Sequence, residues 1–587
     1  MVDLLILGPD KREFRMQPGQ SGYFHIEVPG IHPETTYLYR IDDVKERPDP
    51  ASRWQPEGVH GPSRIWSNAP AAHPGWRGIS LRECIIYELH TGAFTREGTF
   101  EAVIPRLPYL RDLGVTMLEL MPVAQCPGLR NWGYDGVYPF AAQHNYGGPA
   151  GLQKLVSACH AAGLGVALDV VYNHLGPEGN YLHDYAPYFT DKHSTPWGQA
   201  VNFDGKGSDE VRRYFLENAL FWIREFQIDA LRLDAIHAIF DQSAQPFLEE
   251  LSTAVRGESR RQGREILLFA ESVLNDPRVV RAQSQGGLGL DAQWNDDFHH
   301  ALRTLLTGDL TGYYRDFGSI QHLGTAFRDG FVYSGQYSPH LGHRRGRPSS
   351  EIAGHQLVVF NQNHDQIGNR LCGERLASLL DLERLKLAAA AVLLSPYVPL
   401  LFMGEEYAEI APFLYFADHG DASLRRAVRL GRREEFHAFG WSGDPPDPYE
   451  EETFQRSRLN LEMRATGWHG QLLNFYRRLI QLRKSTPALA SLDRNSQTVL
   501  VDEQAETIQL RRWLGGSEVM ILIAFGPLTA THGFAGTPAR WRKVLDSADP
   551  DWGGPGAEAP DCLNANVPTR IEWRPLSVVV YEKEAEQ

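Results

Sequence analysis

Three carboxyl residues stand where apolar segments end. Asp234 follows Ala230-Leu231-Arg232-Leu233, Glu271 follows Leu267-Leu268-Phe269-Ala270, and Asp365 closes Val358-Val359-Phe360-Asn361-Gln362-Asn363-His364. A fourth segment, Ala167-Leu168-Asp169-Val170-Val171-Tyr172-Asn173-His174, ends in the same polar way. Carboxyls in unlike surroundings can divide the roles of acid, base and nucleophile. Arg232 and Asp234 are two apart on an extended segment, so they face one side, and a guanidinium beside a carboxylate favours its ionised form. An ionised Asp234 suits a nucleophile at an anomeric carbon. Glu271 follows four apolar residues, and desolvation would raise its pKa toward that of a general acid. Asp365, beside His364, could hydrogen-bond sugar hydroxyls and favour a distorted, cationic transition state. Two carboxyls about 5 Å apart across a glycosidic bond give retention, and a wider gap gives inversion; that spacing stays open at this point. Each residue also has a plainer reading. An Asp after a strand commonly caps a helix, Asp169 is read first as a structural hydrogen-bonding group, and His174 could be a satisfied buried histidine. The convergence of three acids, two histidines and an arginine favours chemistry over capping.

Such residues need elements that bring them to one rim. Short apolar runs at 84–89, 115–120, 164–171, 228–233, 266–270, 290–294, 357–360 and 398–403 alternate with amphipathic stretches. Continuous apolar runs suit parallel strands covered on both faces. Eight of them with intervening helices fit a (β/α)8 TIM barrel, whose strand C-termini carry the active site. A doubly wound α/β sheet is the alternative, but no glycine-rich phosphate fingerprint follows any strand. The segment 210–226 reads as a helix with Ser208 as N-cap and Asp209 and Glu210 at its positive end. Residues 175–205 form a lid-like insertion after the third strand, 411–464 a second insertion, and 472–483 a barrel-closing helix. Before the barrel, residues 1–75 read as a β-sandwich domain with strands at 4–7, 23–28 and 36–41, and with a linker marked by Pro70 and Pro74. After it, 491–587 reads as a C-terminal β-sandwich, with strands at 519–525 and 577–581. The catalytic barrel is assigned to 76–490.

The 587 residues suffice for two to four domains of ordinary size, and 42% hydrophobic with 22% charged residues is a globular composition. A net charge of −15 repels phosphate backbones and anionic lipid, which argues against nucleic acid and membrane as partners. Five scattered cysteines, Cys84, Cys126, Cys159, Cys372 and Cys562, form neither a disulfide framework nor a zinc motif. A reducing cytoplasm is the expected compartment. The N-terminal apolar stretch is too short for a signal-peptide core, and no apolar run reaches membrane-span length.

The motifs DVVYNH at 169–174, RLD at 232–234, Glu271, and NHD at 363–365 resemble the four signature regions of the α-amylase superfamily, in the same order and on the same strands. Segments around them resemble, within that superfamily, the maltooligosyltrehalose trehalohydrolase family: 48–61 (PDPASRWQPEGVHG), 361–370 (NQNHDQIGNR), 395–406 (SPYVPLLFMGEE), 413–419 (FLYFADH) and 431–441 (GRREEFHAFGW). The resemblance covers most of 48–490, with a looser match in the tail. The N-terminal domain is short for that family, which implies that a first strand or strands are missing or diverged.

The resemblance implies a retaining mechanism with Asp234 as nucleophile, Glu271 as acid/base and Asp365 as transition-state stabiliser. It implies that Tyr134 stacks on the sugar and that His174, Arg232 and His364 bind there. No cofactor and no required metal are expected, because a calcium-binding amylase would carry a larger third-strand insertion. The implied substrate is maltooligosyl trehalose, cut at the α-1,4 bond next to its trehalose end, with a maltooligosyltrehalose synthase as metabolic partner. To prefer trehalose over maltose, further walls are needed. The loop Glu405-Glu406-Tyr407, the insertion 413–441 and His237 are the candidates, although each could merely pack on the barrel. The alternatives are a glycogen branching or debranching enzyme, which shares the acids, and a non-catalytic sugar-binding protein, which would be expected to have lost one of them.

Overall fold

The computed structural model describes residues 1–8, 11–67, 75–441, 443–565 and 570–584. The expected linker at Pro70 and Pro74 lies outside the described residues. Eight strands, Ile86–Leu89, Met117–Leu120, Gly165–Val170, Ala230–Leu233, Leu267–Ala270, Ala292–Trp294, Leu357–Val359 and Val398–Phe402, pair in parallel in chain order. The eighth pairs with the first, Phe402 opposite Glu88, and closes the barrel. Each strand lies inside one of the eight apolar runs.

Alternation along these strands explains why the runs are continuous. Ile86, Met117, Ala167, Ala230, Leu267, Ala292, Val358 and Val398 fill the barrel interior. Their neighbours Tyr87, Leu118, Leu168, Leu231, Leu268, Val359 and Leu401 face the helices. Both faces are dry, so both parities are apolar. Carrying the inward parity toward the C-terminal ends gives Glu88, Glu119, Asp169, Arg232, Asp234 and Glu271. The barrel therefore changes from hydrocarbon to charge along its axis.

The helix expected over 210–226 spans Ser208–Glu225 with Asp209 and Glu210 in its first turn. Its N-cap is not Ser208. Gly207 holds that position at φ 77°, a left-handed conformation that glycine adopts without strain, and makes Ser208 the first helical residue. After the third strand the chain forms a hairpin, Phe189–Thr195 with Gly198–Val201. After the eighth, the second insertion carries the helices Ala422–Ala438 and Glu451–Arg456 before Gly467–Ser485 packs on the barrel.

Before the barrel, Val2–Ile6 lies between Arg12–Arg15 and Thr36–Ile41 in a five-stranded antiparallel sheet. The strand expected over 23–28 shrinks to Phe24–His25. It pairs only with Gln17–Pro18, where Pro18 has no N–H to offer a longer ladder. At the other end, Thr507–Leu514, Ser517–Ala524 and Ser577–Lys583 form the centre of a six-stranded sheet. One face, with Ile521, Ile523, Val578 and Val580, joins the core around the barrel helices. The other, with Met520, Leu522, Val579 and Tyr581, packs on Trp541, Ile571 and Trp573.

Two buried arginines, Arg512 on that sheet and Arg483 on the helix Gly467–Ser485, converge on one barrel-helix end. Arg512 donates to the carbonyls of Leu394 and Ser395, and Arg483 to those of Leu393 and Ser395, beyond the C-terminus of the helix Leu382–Leu393. Cations at that position complement the helix dipole and satisfy its orphan carbonyls. All five cysteines are free thiols. No described helix is long and apolar enough to cross a membrane.

Candidate active site

The acids meet on one guanidinium. Arg232 Nη1 donates to Asp169 Oδ2 at 2.7 Å and to Asp234 Oδ1 at 2.9 Å, while Nη2 lies 3.0 Å from Glu271 Oε2. The guanidinium rests on the face of Trp294, 4.3 Å from the ring centre, and is buried. All these contacts follow from strand register: Asp169 pairs with Arg232, and Arg232 with Phe269, two residues before Glu271. Asn173 Nδ2 adds a 2.7 Å bond to Asp234 Oδ2.

Just past Asp234 the backbone turns sharply. Ala235 is left-handed at φ 39°, ψ 54°, and its N–H donates to Glu271 Oε2 at 2.7 Å. A non-glycine residue in that region costs about 1–2 kcal/mol, and here the turn aims an amide at the second acid. Burial pushes the Glu271 carboxyl up to about 8, against the lowering effect of Arg232 and helped by Asp234 and Asp365. Glu271 is thereby kept protonated near neutrality. Its surroundings are apolar below and charged beside, more elaborate than the four-residue apolar run alone indicates.

Asp365 sits on the short helix His364–Gly368 after the seventh strand. A reciprocal cap fixes that helix: Asn363 Oδ1 accepts from the Asp365 N–H at 2.9 Å, and Gln366 Oε1 accepts from the Asn363 N–H at 3.0 Å. His364 points below. Its Nδ1 bonds Glu88, and its Nε2 lies 2.8 Å from Tyr134 Oη, which itself donates to Asp169 Oδ2 at 2.7 Å. Since the phenol proton goes to Asp169, both imidazole nitrogens must donate, and the ring is an imidazolium. Burial opposes that charge, but Glu88 overcomes it and raises His364 to about 9. Tyr134 also stacks on His364 with ring centres 5.3 Å apart, so it is held from two sides.

His174 is buried, and its Nε2 lies 3.1 Å from the Tyr134 carbonyl. Burial lowers its pKa, against the raising effect of Asp234 and Asp135. Its ring stacks on half-exposed Trp197 at the tip of the third-strand hairpin. His237 lies on the turn Ile236–Ala238 after the fourth strand, with Nδ1 unpaired; burial lowers its pKa, against the raising effect of Asp234.

Glu406 stands apart from this assembly. It is completely buried and accepts from Tyr109 Oη at 2.6 Å and Tyr87 Oη at 3.0 Å. It cannot touch a sugar, which corrects the expectation. The loop after strand eight turns its side chains inward, where two tyrosines compensate the carboxyl's burial. Glu405 and Tyr407 are buried too, so this loop builds no wall with those three side chains. Of the insertion 413–441, Phe413 is buried against Trp132 with ring centres 5.3 Å apart, while Phe439 meets Tyr313 edge-on at 5.5 Å.

Residue-by-residue reading missed Glu88, Glu119, Asn173, Trp197 and Asn369. Glu88 and Glu119 had a visible signal, each being a charged residue within an otherwise apolar run. Glu119 is fully buried with both carboxyl oxygens unpartnered, and burial followed by the nearby Glu88 raises its pKa well up. Asn173 lay inside a motif but was passed over for its neighbours. Trp197 and Asn369 had no periodic signal. Among the described residues no cluster of three or more His, Cys, Asp or Glu could hold a metal ion.

Residues 67–198 match the alpha-amylase catalytic-domain family. The chain is 47% identical to the malto-oligosyltrehalose trehalohydrolase of Saccharolobus solfataricus, over 80% of this chain and 81% of that protein. With the malto-oligosyltrehalose trehalohydrolase of Rhizobium sp. (strain M-11) it shares 45% identity, over 89% of each. A crystal structure of a putative alpha amylase from Salmonella typhimurium superposes with a TM-score of 0.87 at 38% identity, over 99% of this chain and 96% of that one.

Proposed function

The chain belongs to the malto-oligosyltrehalose trehalohydrolases of the α-amylase superfamily, and on that premise we propose that it hydrolyses the α-1,4-glucosidic bond next to the trehalose end of maltooligosyl trehalose, with retention. The products are trehalose and a shorter maltooligosaccharide. The single guanidinium that holds both Asp234 and Glu271 carries the bond chemistry. One guanidinium bridging both carboxyls supports the short separation used by retaining enzymes over the wider, water-filled gap of inverting ones.

In the first step Glu271 gives its proton to the leaving oxygen of trehalose, and Asp234 attacks the anomeric carbon. In the second, Glu271 takes a proton from water, which cleaves the glycosyl ester. Protonation of Glu271 near neutrality supports the acid role. Asp365 stabilises the cationic sugar ring, and Tyr134, braced by His364 and Asp169, offers it a flat surface. His174 and His237 line the rim as polar groups beside the sugar. Arg232 and His364 act through the residues they hold.

A maltooligosyltrehalose synthase would supply the substrate, and five free thiols suit a cytoplasmic setting. Product analysis tests the reading. Incubation with maltooligosyl trehalose should release trehalose, while amylopectin incubated in parallel should keep its branch content. Release of maltose in place of trehalose, or a change in branching, overturns it.

A further inference from the structure

The second insertion does more than pack on the rim. Its helix Ala422–Ala438 carries Arg432, whose side chain is only 14% exposed and lies between the rings of Tyr415 and Phe436, at 4.9 and 4.7 Å from their centres. Arg432 Nη1 donates to Asn369 Oδ1 at 2.8 Å and to Glu435 Oε2 at 3.0 Å, and Nη2 donates to the Gly368 carbonyl at 2.8 Å. Asn369 Nδ2 donates in turn to Asp365 Oδ1 at 2.9 Å.

We propose that Arg432 is a positioning residue for Asp365, acting through the amide of Asn369. A primary amide has two ends of opposite character, and nothing in its shape decides which faces which neighbour. A guanidinium has donors and no acceptor, so it accepts only the oxygen end. With Oδ1 held there, the NH2 must face Asp365, where it occupies Oδ1 and leaves Oδ2 to the sugar. A free amide could turn its oxygen to the carboxylate and repel it. Arg432 cannot drift, because two rings, Gly368 and Glu435 hold it. The short helix His364–Gly368 is thus fixed at its start by Asn363 and at its end from an element 63 residues away.

This inference rests on Asp365 being the third catalytic acid, so the test is read on turnover of whichever α-1,4-glucan the enzyme cleaves, while product identity separately tests the trehalose reading. The variants are Arg432→Met, Asn369→Ala and the double variant. Each single change should lower kcat about tenfold or more, as small misplacements of reacting groups do. KM should stay within about threefold, since the loss falls in the transition state. The double variant should be no slower than the slower single, because both remove one linkage. Arg432→Lys keeps a cation between the rings but cannot span all three acceptors, and should recover only part of kcat; it replaces Arg432→Met in the cycle if that variant does not fold. Multiplicative losses in the double variant, a loss confined to KM, or a lowered thermal midpoint with kcat unchanged would each overturn the proposal.

Discussion

The acids differ in what surrounds them, and that difference sets what each substitution does. Asp234→Asn is nearly isosteric but removes the nucleophile, and its one amide oxygen can accept from Arg232 or from Asn173 but not from both. kcat should fall by about 10⁴–10⁶-fold, the scale seen when a catalytic unit loses one member, with the fold retained. Residual kcat within tenfold of the parent would remove Asp234 from that role. Glu271 predicts a pH dependence. Its proton is lost as pH rises through about 8, so turnover should fall on the alkaline side of that value, and a rate still flat well above it contradicts the acid assignment. His364 predicts a stability effect of defined sign. Its value of about 9 lies above the ordinary 6.5, so its contribution is complete below 6.5 and disappears as pH rises through 9. Integrated over that span it is on the order of 3 kcal/mol. The stability advantage of the parent over His364→Gln, measured by urea unfolding, should narrow between those limits; a gap of constant size argues against the imidazolium. The three acids were legible because each ends an apolar run. The proton economy beneath them was not, since it depends on Glu88 and Tyr134, which meet His364 only after the barrel closes.

At the scale of elements, a small cap carries a large share of the site. Asn363 begins the helix that bears His364 and Asp365, and its oxygen satisfies the Asp365 N–H. Asn363→Ala should cost about 1 kcal/mol of stability and a disproportionate loss of turnover. Calorimetry and kcat on one sample separate the two, and loss of stability alone would mean that the cap serves only the helix. The barrel strands were legible because continuous apolar runs have one common explanation. Shorter elements were less so. Gly207 takes the cap expected of Ser208 because a left-handed residue outweighed a hydroxyl. The strand at 23–28 had the right residue types but no partner long enough to hold it. Within 411–464 charge and aromatics marked an insertion, but the inward face of its long helix Ala422–Ala438 carries Arg425, Arg429 and Arg432, so its helical period is not written in apolar residues alone.

At the scale of the whole molecule, buried polar clasps join parts that hydrophobic packing alone would leave free to slide. Asp229, before the fourth strand and almost fully buried, accepts from Trp76 Nε1, His160 Nε2, Arg264 Nη1 and the Val166 N–H. The entry to the barrel, the helix Gly148–Ala161 and two strand origins thus share one carboxylate at the end opposite the acids. Asp229→Ala strands the buried guanidinium of Arg264 and should cost about 3–5 kcal/mol, while turnover per folded molecule at low temperature stays near that of the parent. A cost below 1 kcal/mol in chemical denaturation would show the clasp to be dispensable. None of this was visible beforehand, because four donors drawn from different segments converge without any local pattern. The ring closure has a consequence in time as well as in space. Glu88 and His364 are 276 residues apart, and the strand that brings the ends of the barrel together finishes only at Phe402. At a synthesis rate of about 5–20 residues per second, the growing chain carries Asp234 and Glu271 for many seconds before the ring that joins His364 to Glu88 can form. The site is therefore expected to assemble only after most of the polypeptide has left the ribosome.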